Sequence, residues 1–356
     1  MGNNIENENT IKIGISIGDL NGIGPEVIMK TFLDNRILTS CTPIIYCSSK
    51  VLSFHRKVLG ISEFNVNVIQ AADQAVEKKV NLIQPWEEDV QLELGKPDAT
   101  SARYAFKSLE AATLDLANGH IDALVTGPID KHTMQDAGFN FPGHTEYLAE
   151  RLQAKSHLMF MVSDAMRVGM VTGHIPIKDV AGKLSIEGIF SKIKIMQESL
   201  IKDFGIRKPK IAVLGLNPHA GDHGTLGSED QEIIVPAVKM AIDNNILAFG
   251  PYSADGFFGS ATFRQFDGII AMYHDQGLVP FKAMAFTSGV NFTAGLPAIR
   301  TSPDHGTAYE LAGKNMASEE SFREAVYLAI DTHARRVEYE QLTSNPLKIS
   351  VLSKDY

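Results

Sequence analysis

Short apolar segments alternate with longer amphipathic ones along nearly the whole chain, and this alternation constrains the fold more than any other feature. Apolar runs of this length are typical of buried strands; they lie at 11–18, 42–48, 65–70, 121–127, 157–163, 167–173, 210–216 and 268–273. The segment 99–117 instead aligns apolar residues along one helical face, namely Ala102, Phe106, Leu109, Thr113 and Leu116. Strands that alternate with helices predict an α/β fold with a largely parallel sheet.

Two glycine-rich turns lie near opposite ends of the chain. SIGDLNGIGPE occupies 16–26, and DHGTAYELAGKNMA occupies 304–317. Neither contains G-x-G-x-x-G or G-K-[ST], so neither matches a Rossmann fingerprint or a P-loop. A chain of 356 residues is also long for a single core. We therefore expect two α/β/α domains around a cleft. Residues 1–137 and 293–356 would form the terminal, cofactor-side domain, and 138–292 the central domain for metal binding and dimerisation.

Composition argues against several kinds of partner. The formal net charge of −9 disfavours nucleic acid, because phosphate backbones bind massed Lys and Arg. No apolar run reaches the length of a membrane span, and the polar N-terminus MGNNIENENT lacks the apolar region of a secretory signal. Two cysteines, Cys41 and Cys47, make no disulfide framework. We expect a soluble cytoplasmic protein that binds neither nucleic acid nor membrane.

Three histidines each follow an apolar strand. His174 follows RVGMVTG, His219 follows KIAVLGL, and His274 follows GIIAMY in a turn that contains Gly277 and Pro280. One such histidine alone is best explained as a cap that hydrogen-bonds a loose carbonyl at the end of its strand. Three in matching positions favour a ligand site, because open α/β sheets gather their ligands at the carboxyl ends of strands. Three neutral imidazoles also leave a coordination position open, as a catalytic divalent metal requires.

Basic and polar residues cluster near the same predicted strand ends. PGHTEYL places His144 and Thr145 at a helix start, where free backbone amides favour an anion. Lys282 follows in the turn after the third histidine, and GVNFTAGLPAIRTSP supplies Asn291 and Arg300. A lone Lys or Arg is usually a solvated surface charge, but these two lie among Gly, Pro and apolar residues. In an acidic protein, that setting favours a phosphate or carboxylate pocket.

Several motifs resemble those of known dehydrogenases. GDLNGIGPE and HGTAYELAGKNMA resemble the GDGIGPE signature and the adenosine-binding loop of isocitrate and isopropylmalate dehydrogenases. TGPIDK, FPGHTEYLA, GLNPHAG, MYHDQGLVPFK and GVNFTAGLPAIRTSPDHGTA resemble the 4-hydroxythreonine-4-phosphate dehydrogenase family, which shares that fold. The resemblance runs from about residue 11 to about residue 340. It implies an isocitrate/isopropylmalate dehydrogenase-like fold and not a Rossmann fold.

The same resemblance implies cofactors, an assembly and a set of site residues. It implies NAD or NADP, one divalent metal (zinc, magnesium or cobalt), and a homodimer whose site is shared across the interface. The implied roles are metal ligands at His174, His219 and His274, catalysis at Lys282 and His274, substrate contacts at His144, Thr145, Lys282, Asn291 and Arg300, and cofactor contacts at His305, Gly306 and Thr307.

The reaction that the resemblance implies is the oxidation of a phosphorylated hydroxy acid. The C3 hydroxyl of 4-phosphooxy-L-threonine is oxidised by NAD, and the β-keto acid loses carbon dioxide to give 3-amino-2-oxopropyl phosphate. Lys282 or a metal-linked water would take the hydroxyl proton. Two alternatives stay open at this point. One is a sibling dehydrogenase of D-threonate or D-erythronate 4-phosphate; the other is a phosphate acyltransferase, which has a similar fold and needs no metal.

Overall fold

Twelve strands form one sheet in the computed structural model, which describes residues 10–347. The strands are β1 (Ile11–Ser16), β2 (Cys41–Tyr46), β3 (Asn67–Ile69), β4 (Asn81–Ile83), β5 (Ala123–Thr126), β6 (Leu158–Val162), β7 (Arg167–Met170), β8 (Lys210–Leu214), β9 (Leu247–Tyr252), β10 (Gly268–Ala271), β11 (Val290–Ala294) and β12 (Ile299–Pro303). Their order across the sheet is β3-β4-β2-β1-β5-β12-β11-β6-β7-β10-β8-β9. Every strand predicted from an apolar run is present.

The helices of the described chain flank this sheet. They are α1 (Gly24–Leu33), α2 (Ser49–Leu59), α3 (Ala99–Ala117), α4 (Lys131–Asp136), α5 (His144–Arg151), α6 (Val180–Lys183), α7 (Ile186–Lys202), α8 (Val235–Asp243), α9 (Ala254–Gly259), α10 (His274–Ala285) and α11 (Glu320–Thr343). None of these helices is long and apolar enough to cross a membrane. Residues 1–9, on which the expectation about a secretory signal rests, lie outside the described residues.

Most neighbouring strands run parallel, and the predicted α/β fold class is confirmed. The exceptions lie at the centre of the sheet. β11 is antiparallel to both β12 and β6, and β6 is antiparallel to β7. As a result, β7, β10 and β8 run opposite to β1, β5 and β12. Alternating strands and helices predict parallel neighbours but do not predict this reversal.

The two ends of the sheet come from different parts of the chain. At one end of the sheet, the six strands β3, β4, β2, β1, β5 and β12 come from 11–126 and 299–303. At the other end, the five strands β6, β7, β10, β8 and β9 come from 158–271. β11 joins the two groups, and the predicted boundary at 292/293 falls inside this strand. Because one continuous sheet runs through both groups, the division into two domains stays a prediction.

Helices cover both faces of the sheet. All residues of β2 are buried. Its Ile45 packs in a core cluster with Phe32 and Phe322, whereas Ile44 and Tyr46 pack in a second cluster with helix α3. A strand whose alternate side chains enter two different cores must lie between two layers of helices, as parallel strands generally do. The fold therefore has three layers, helix, sheet and helix, along this part of the sheet.

The segment that follows β10 is a helix and not the expected turn. α10 begins at His274 and contains Pro280 in its interior, where proline usually removes a hydrogen bond and strains the preceding turn. Gln276 anchors the start of this helix: its Oε1 accepts from the Met272 amide at 2.7 Å, and its Nε2 donates to the Gly215 carbonyl at 2.6 Å. These bonds attach α10 to the ends of β10 and β8 and help to hold it despite the proline.

Candidate active site

Three neighbouring parallel strands lead to the three histidines. β7, β10 and β8 lie side by side in the sheet. His174 lies in the loop after β7, His274 begins α10 after β10, and His219 lies in the irregular segment Pro218–Gly224 after β8. The carboxyl ends of parallel neighbours meet at the same edge of a sheet, so all three histidines lie at one edge.

His174 and His274 form a close pair at this edge. Their ring centroids are 5.3 Å apart. Nζ of Lys131 lies 3.3 Å from Nε2 of His174. Burial, together with the Lys131 charge, lowers the pKa of His174, so its imidazole is neutral at neutral pH. Nδ1 of His274 lies 2.7 Å from Oδ1 of Asp275, which orients that ring.

His219 lies apart from this pair within a single chain. It is exposed and has a left-handed backbone, with φ of 53°. Among residues 10–347, no three His, Cys, Asp or Glu side chains converge as a metal site would require. His174 and His274 have the chemistry of metal ligands, because imidazole nitrogen binds divalent metals well. One chain therefore brings together two of the three predicted ligands.

Arg300 on β12 is a buried cation whose hydrogen bonds go to neutral groups. The residue is 2% exposed. Its guanidinium donates to Oγ1 of Thr126 at 2.7 Å, to Oγ1 of Thr293 at 3.3 Å and to Nδ1 of His144 at 3.0 Å. Burial lowers its pKa to about 10, which leaves it charged at neutral pH. Glu146 opposes this shift through its charge but forms no hydrogen bond with Arg300 in the described chain, so the guanidinium keeps capacity for an anionic ligand.

His144, the first residue of α5, is fixed as a neutral donor. A guanidinium can only donate, so Nδ1 of His144 accepts from Arg300 and its proton resides on Nε2. Nε2 is buried and has no hydrogen-bond partner among the described residues. Burial, and secondarily the Arg300 charge, lowers the pKa of His144 well below its ordinary value. The ring therefore has one N–H without a partner, on the other side of the ring from the nitrogen that contacts the guanidinium.

A cavity of about 510 Å³ contains most of the predicted substrate residues. Asn291 and Arg300 reach it from within β11 and β12, and not from strand ends as the sequence suggested. A second cavity of about 250 Å³ adjoins it at His174 and contains His274. Of the predicted residues, the larger cavity is lined by His144, Thr145, His174, Asn291, Arg300, His305 and Gly306. Three other predicted site residues line neither cavity, namely Lys282, His219 and Thr307.

Lys282 on α10 is paired with Asp304, which the sequence pattern did not single out. Nζ of Lys282 lies 3.3 Å from Oδ1 of Asp304 and donates to its backbone carbonyl at 3.3 Å. Burial raises the pKa of Asp304, and the nearby Lys282 charge opposes that shift. Asp304 directly follows β12, so a carboxylate at a strand end was the signal that could have identified it.

The two glycine-rich loops are in contact with each other. The amide of Ile23 donates to the carbonyl of Thr307 at 3.0 Å, and the hydroxyl of Tyr309 donates to Oδ2 of Asp19 at 2.9 Å. A Cβ at Gly22 would lie 2.8 Å from the Thr307 carbonyl oxygen, so this close approach requires glycine. Burial raises the pKa of Asp19. Segments from opposite ends of the chain thus build one surface.

Comparison with known proteins gives the family. The family model described as pyridoxal phosphate biosynthetic protein PdxA matches residues 39–329. The chain belongs to the PdxA family. The 4-hydroxythreonine-4-phosphate dehydrogenase of Bacteroides thetaiotaomicron is 50% identical over 342 residues, which cover 96% of this chain and 94% of that protein. The enzyme of the same name from Sulfurihydrogenibium sp. is 41% identical over 320 residues, which cover 90% of this chain and 98% of that protein.

The PdxA similarity extends to a solved structure. The crystal structure of 4-hydroxythreonine-4-phosphate dehydrogenase from Klebsiella pneumoniae is 31% identical and has a TM-score of 0.77. The match covers 91% of this chain and 100% of the Klebsiella pneumoniae chain. The predicted site residues lie within the segment that the PdxA family model matches.

The cavity of this PdxA family member also contains charged residues that the sequence pattern did not single out. Lys131, Glu146 and Lys192 line it together with the predicted residues. Nζ of Lys192 donates to the carbonyl of His157 at 2.6 Å, and burial lowers the pKa of this lysine. Lys131 lies in the motif TGPIDK, which was a usable signal. Lys192 lies within α7 and looks in the sequence like any lysine of an amphipathic helix.

Proposed function

We propose that this chain is a cytoplasmic 4-hydroxythreonine-4-phosphate dehydrogenase of pyridoxal phosphate biosynthesis. It transfers a hydride from C3 of 4-phosphooxy-L-threonine to NAD, and the C3 hydroxyl loses its proton. The β-keto acid formed loses carbon dioxide and yields 3-amino-2-oxopropyl phosphate. The observation that carries the proposal is Arg300, a buried guanidinium with neutral partners at a cavity of a PdxA family chain. Such a cation favours an anionic substrate.

The cavity offers hydrogen-bond donors for the two anionic groups of this substrate. Arg300 donates to Nδ1 of His144, which leaves the Nε2–H of that ring without a described partner, and hydrogen bonds from a charged donor are about twice as strong as neutral ones. Thr145 adds a hydroxyl in the first turn of α5. Lys131 lines the same cavity and is placed beside His174. These groups together suit a phosphate and a carboxylate held in one cavity.

His174, His274 and His219 are the residues that would hold a divalent metal, whether zinc, magnesium or cobalt. A bound divalent ion supplies Lewis acidity, which favours loss of the hydroxyl proton and then polarises the ketone. Two of these histidines are paired in one chain, while His219 lies apart. We therefore infer that a second copy of the chain contributes His219. Asp275 would orient His274 through its hydrogen bond to Nδ1.

Lys282, which lines neither described cavity, is one group that would accept the hydroxyl proton, and a water in the site is the other. Nζ of Lys282 is held beside the carboxylate and the carbonyl of Asp304. A lysine can act as a general base in its amine form. Asp304 keeps the amine in place and would stabilise the ammonium that forms. Because this carboxylate is mostly buried, its attraction for the ammonium is stronger than it would be in water.

The two glycine-rich loops form the proposed site for NAD or NADP. They touch through Ile23 and Thr307. The second loop also carries His305 and Gly306, which line the substrate cavity. A cofactor bound on this loop would therefore lie next to the substrate.

Exposed apolar side chains along α10 and in the segment after His174 support a homodimer. Val279 on α10 is 64% exposed, Phe286 directly after α10 is 77% exposed, and Ile177 near His174 is 76% exposed. Large exposed apolar side chains close together commonly mark an interaction surface. Because α10 begins at His274, a second copy that covers these side chains would also reach the proposed metal site.

Family membership and the names of the relatives favour this reaction over the acyltransferase alternative. A sibling dehydrogenase of D-threonate or D-erythronate 4-phosphate would use the same anion and metal groups.

To test the proposal, the purified protein is given NAD, a divalent metal and each phosphorylated acid in turn, and NADH is measured. We expect the fastest turnover with 4-phosphooxy-L-threonine and its loss on adding a chelator. Faster turnover of a sugar acid would establish the sibling activity.

A further inference from the structure

The turn that carries His219, residues 219–224, has an unfavourable backbone. All six residues have positive φ. Four of them carry a side chain, namely His219 at 53°, Ala220 at 52°, Asp222 at 41° and His223 at 56°. The left-handed region disfavours residues with a Cβ, so a run of this kind persists only where surrounding contacts hold it. Most of the turn is exposed, so these contacts must act at its base.

Asp230 holds the base of the turn from inside the protein. It is fully buried and begins the helical segment Asp230–Ile234. Its Oδ1 accepts from the amide of Leu216 at 2.8 Å, and its Oδ2 accepts from the amide and from Nδ2 of Asn217 at 3.1 and 3.0 Å. A Cβ at Gly215 would lie 2.7 Å from Oδ1, so the carboxylate packs directly against the end of β8. Hydrogen bonds to an ionised carboxylate are strong, and three converge here.

The hydrogen bonds of this carboxylate go only to the chain that leads into His219. Among the described residues, its oxygens accept from Leu216 and Asn217 alone. Asn217 is followed by Pro218, whose ring restricts φ, and His219 comes next. Few free dihedrals therefore separate the anchored residue from the histidine. The position of the His219 backbone depends on Asp230.

We propose that Asp230 is a positioning residue for the metal, because it holds the 219–224 turn where His219 reaches the histidine pair of a second copy of the chain. This inference rests on the proposed function, in which His219 is the third ligand. Imidazole nitrogen binds a metal only over a short, fixed distance, so a relaxed turn would withdraw the ligand. Asp230 acts without touching the metal, since its oxygens are buried and already paired. Loss of Asp230 should thus resemble loss of His219 and leave the other ligands of the same chain unchanged.

Metal binding gives the first test, because it needs neither substrate nor NAD. Co²⁺ is titrated into the metal-free protein against a competing chelator and followed by its visible absorption. We expect Asp230→Ala to raise the Kd for Co²⁺ about 10- to 100-fold, the range typical of residues that orient a ligand. Asp230→Asn keeps one acceptor oxygen and should lie between this variant and wild type. His219→Ala is the reference for a lost ligand. Asp73→Asn, at an exposed aspartate of the segment Ala72–Gln74, should bind Co²⁺ as wild type does.

Mixed dimers separate the positioning of His219 from general damage to the chain. In a dimer with a His274→Ala chain, the Asp230→Ala chain contributes its intact histidine pair, and its partner contributes a properly held His219. Random pairing should then restore about a quarter of the Co²⁺ sites. In a mixture with His219→Ala chains, no site receives a properly held His219, and none should be restored. If Asp230→Ala recovers with neither partner, or with both, it does not act through His219 and the inference is wrong.

The outcomes distinguish this inference from the proposed function. If Asp230→Ala binds Co²⁺ as tightly as wild type while His219→Ala does not, the inference is wrong and the metal site stands. If wild type binds no Co²⁺, or if His219→Ala binds it unchanged, the proposed metal site is wrong. If the reference mixture of His219→Ala and His274→Ala recovers no site, sharing between chains is wrong, and the titration alone decides about Asp230. Should thermal unfolding show that Asp230→Ala is not folded, Asp230→Asn takes its place, with an expected rise in Kd of about 3- to 10-fold.

Discussion

Arg300 donates a hydrogen bond from Nη2 to Nδ1 of His144 over 3.0 Å, and this contact joins the two residues into one hydrogen-bonded pair. The guanidinium has no acceptor, so the imidazole proton must lie on Nε2. Burial keeps the imidazole neutral and lowers the pKa of Arg300 to about 10 without removing its charge. Both residues line the same cavity, one with a charged donor and one with a neutral donor, and removing either residue alters the donor geometry of the other.

Arg300→Lys should lose most substrate binding although it keeps the positive charge. A lysine ammonium cannot hold Thr126, Thr293 and His144 in the fixed geometry of a guanidinium. We expect KM for the phosphorylated acid to rise roughly 100-fold, about 3 kcal/mol. Initial rates at saturating NAD measure it. Arg207→Lys, at an exposed arginine, is the control and should behave as wild type. An unchanged KM in Arg300→Lys would show that the anion binds elsewhere.

Lys282→Met should keep the metal and lose turnover. Lys282 is separate from the histidine pair and is held by Asp304 at 3.3 Å, so its loss should remove a proton acceptor and leave the metal ligands in place. We expect kcat to fall about 10²- to 10⁴-fold, the range typical of a general base. Metal analysis and single-turnover formation of NADH measure the two effects.

Two comparison variants sharpen this prediction. Asp304→Asn should lower kcat less than Lys282→Met does, because the amine remains while its charged partner is lost. His274→Ala should instead lose the metal together with turnover. If Lys282→Met also lost its metal, the lysine would be maintaining the metal site, and a role limited to proton transfer would be wrong.

Helix α3 shows how much of the fold local patterns can predict. The periodicity placed a helix at 99–117, and α3 spans Ala99–Ala117. Apolar spacing sets its buried face, and the Asp98 carboxylate caps its first turn by accepting from the Thr100 amide. The residues that determine this helix are its own residues and the cap directly before it, so a local sequence pattern is enough to predict it. The apolar runs predicted their strands for the same reason.

Helix α10 shows where local patterns fail. Gly277 and Pro280 are poor residues for a helix interior, so the segment looked like a turn. Gln276, however, bonds to the Gly215 carbonyl 61 residues away, and no local pattern contains that contact. The site has the same limitation. Residue types at predicted strand ends pointed to Arg300, but its bond to Thr126 across 174 residues exists only in the folded chain.

Mixing two inactive variants should restore activity if the metal site is shared as proposed. In a mixed dimer of His219→Ala and His274→Ala chains, the first supplies His174 and His274 and the second supplies His219. If the two chains pair at random, about half of the dimers are mixed, and each mixed dimer has one intact site of its two. About a quarter of all sites are then intact. A mixture of His174→Ala and His274→Ala chains should stay inactive, because the paired ligands must come from one chain. Refolded mixtures assayed for NADH decide between these outcomes. Recovery in both mixtures, or in neither, would contradict the proposed division of ligands.

His55 on α2 makes the stability of the protein depend on pH. It is 1% exposed, and its Nε2 lies 2.8 Å from the carbonyl oxygen of Leu20. Burial lowers the pKa of His55 from its ordinary 6.5 to about 4. As pH falls below about 6.5, the unfolded chain binds a proton that the folded chain resists. The free energy of unfolding should therefore drop with pH, by about 2 kcal/mol at about pH 5, and level off below about pH 4.

His55→Gln tests this directly, because glutamine does not titrate and still has an N–H for the Leu20 carbonyl. Urea unfolding of wild type and variant at about pH 7 and about pH 5 gives the two differences in free energy. The variant should lose about 2 kcal/mol less than wild type over this interval. The control is His120→Gln, at the exposed histidine near Asp115, which should keep the wild-type dependence. If His55→Gln lost as much stability as wild type, the acid sensitivity would have to come from other buried histidines. His144 is the first candidate, because burial lowers its pKa as well.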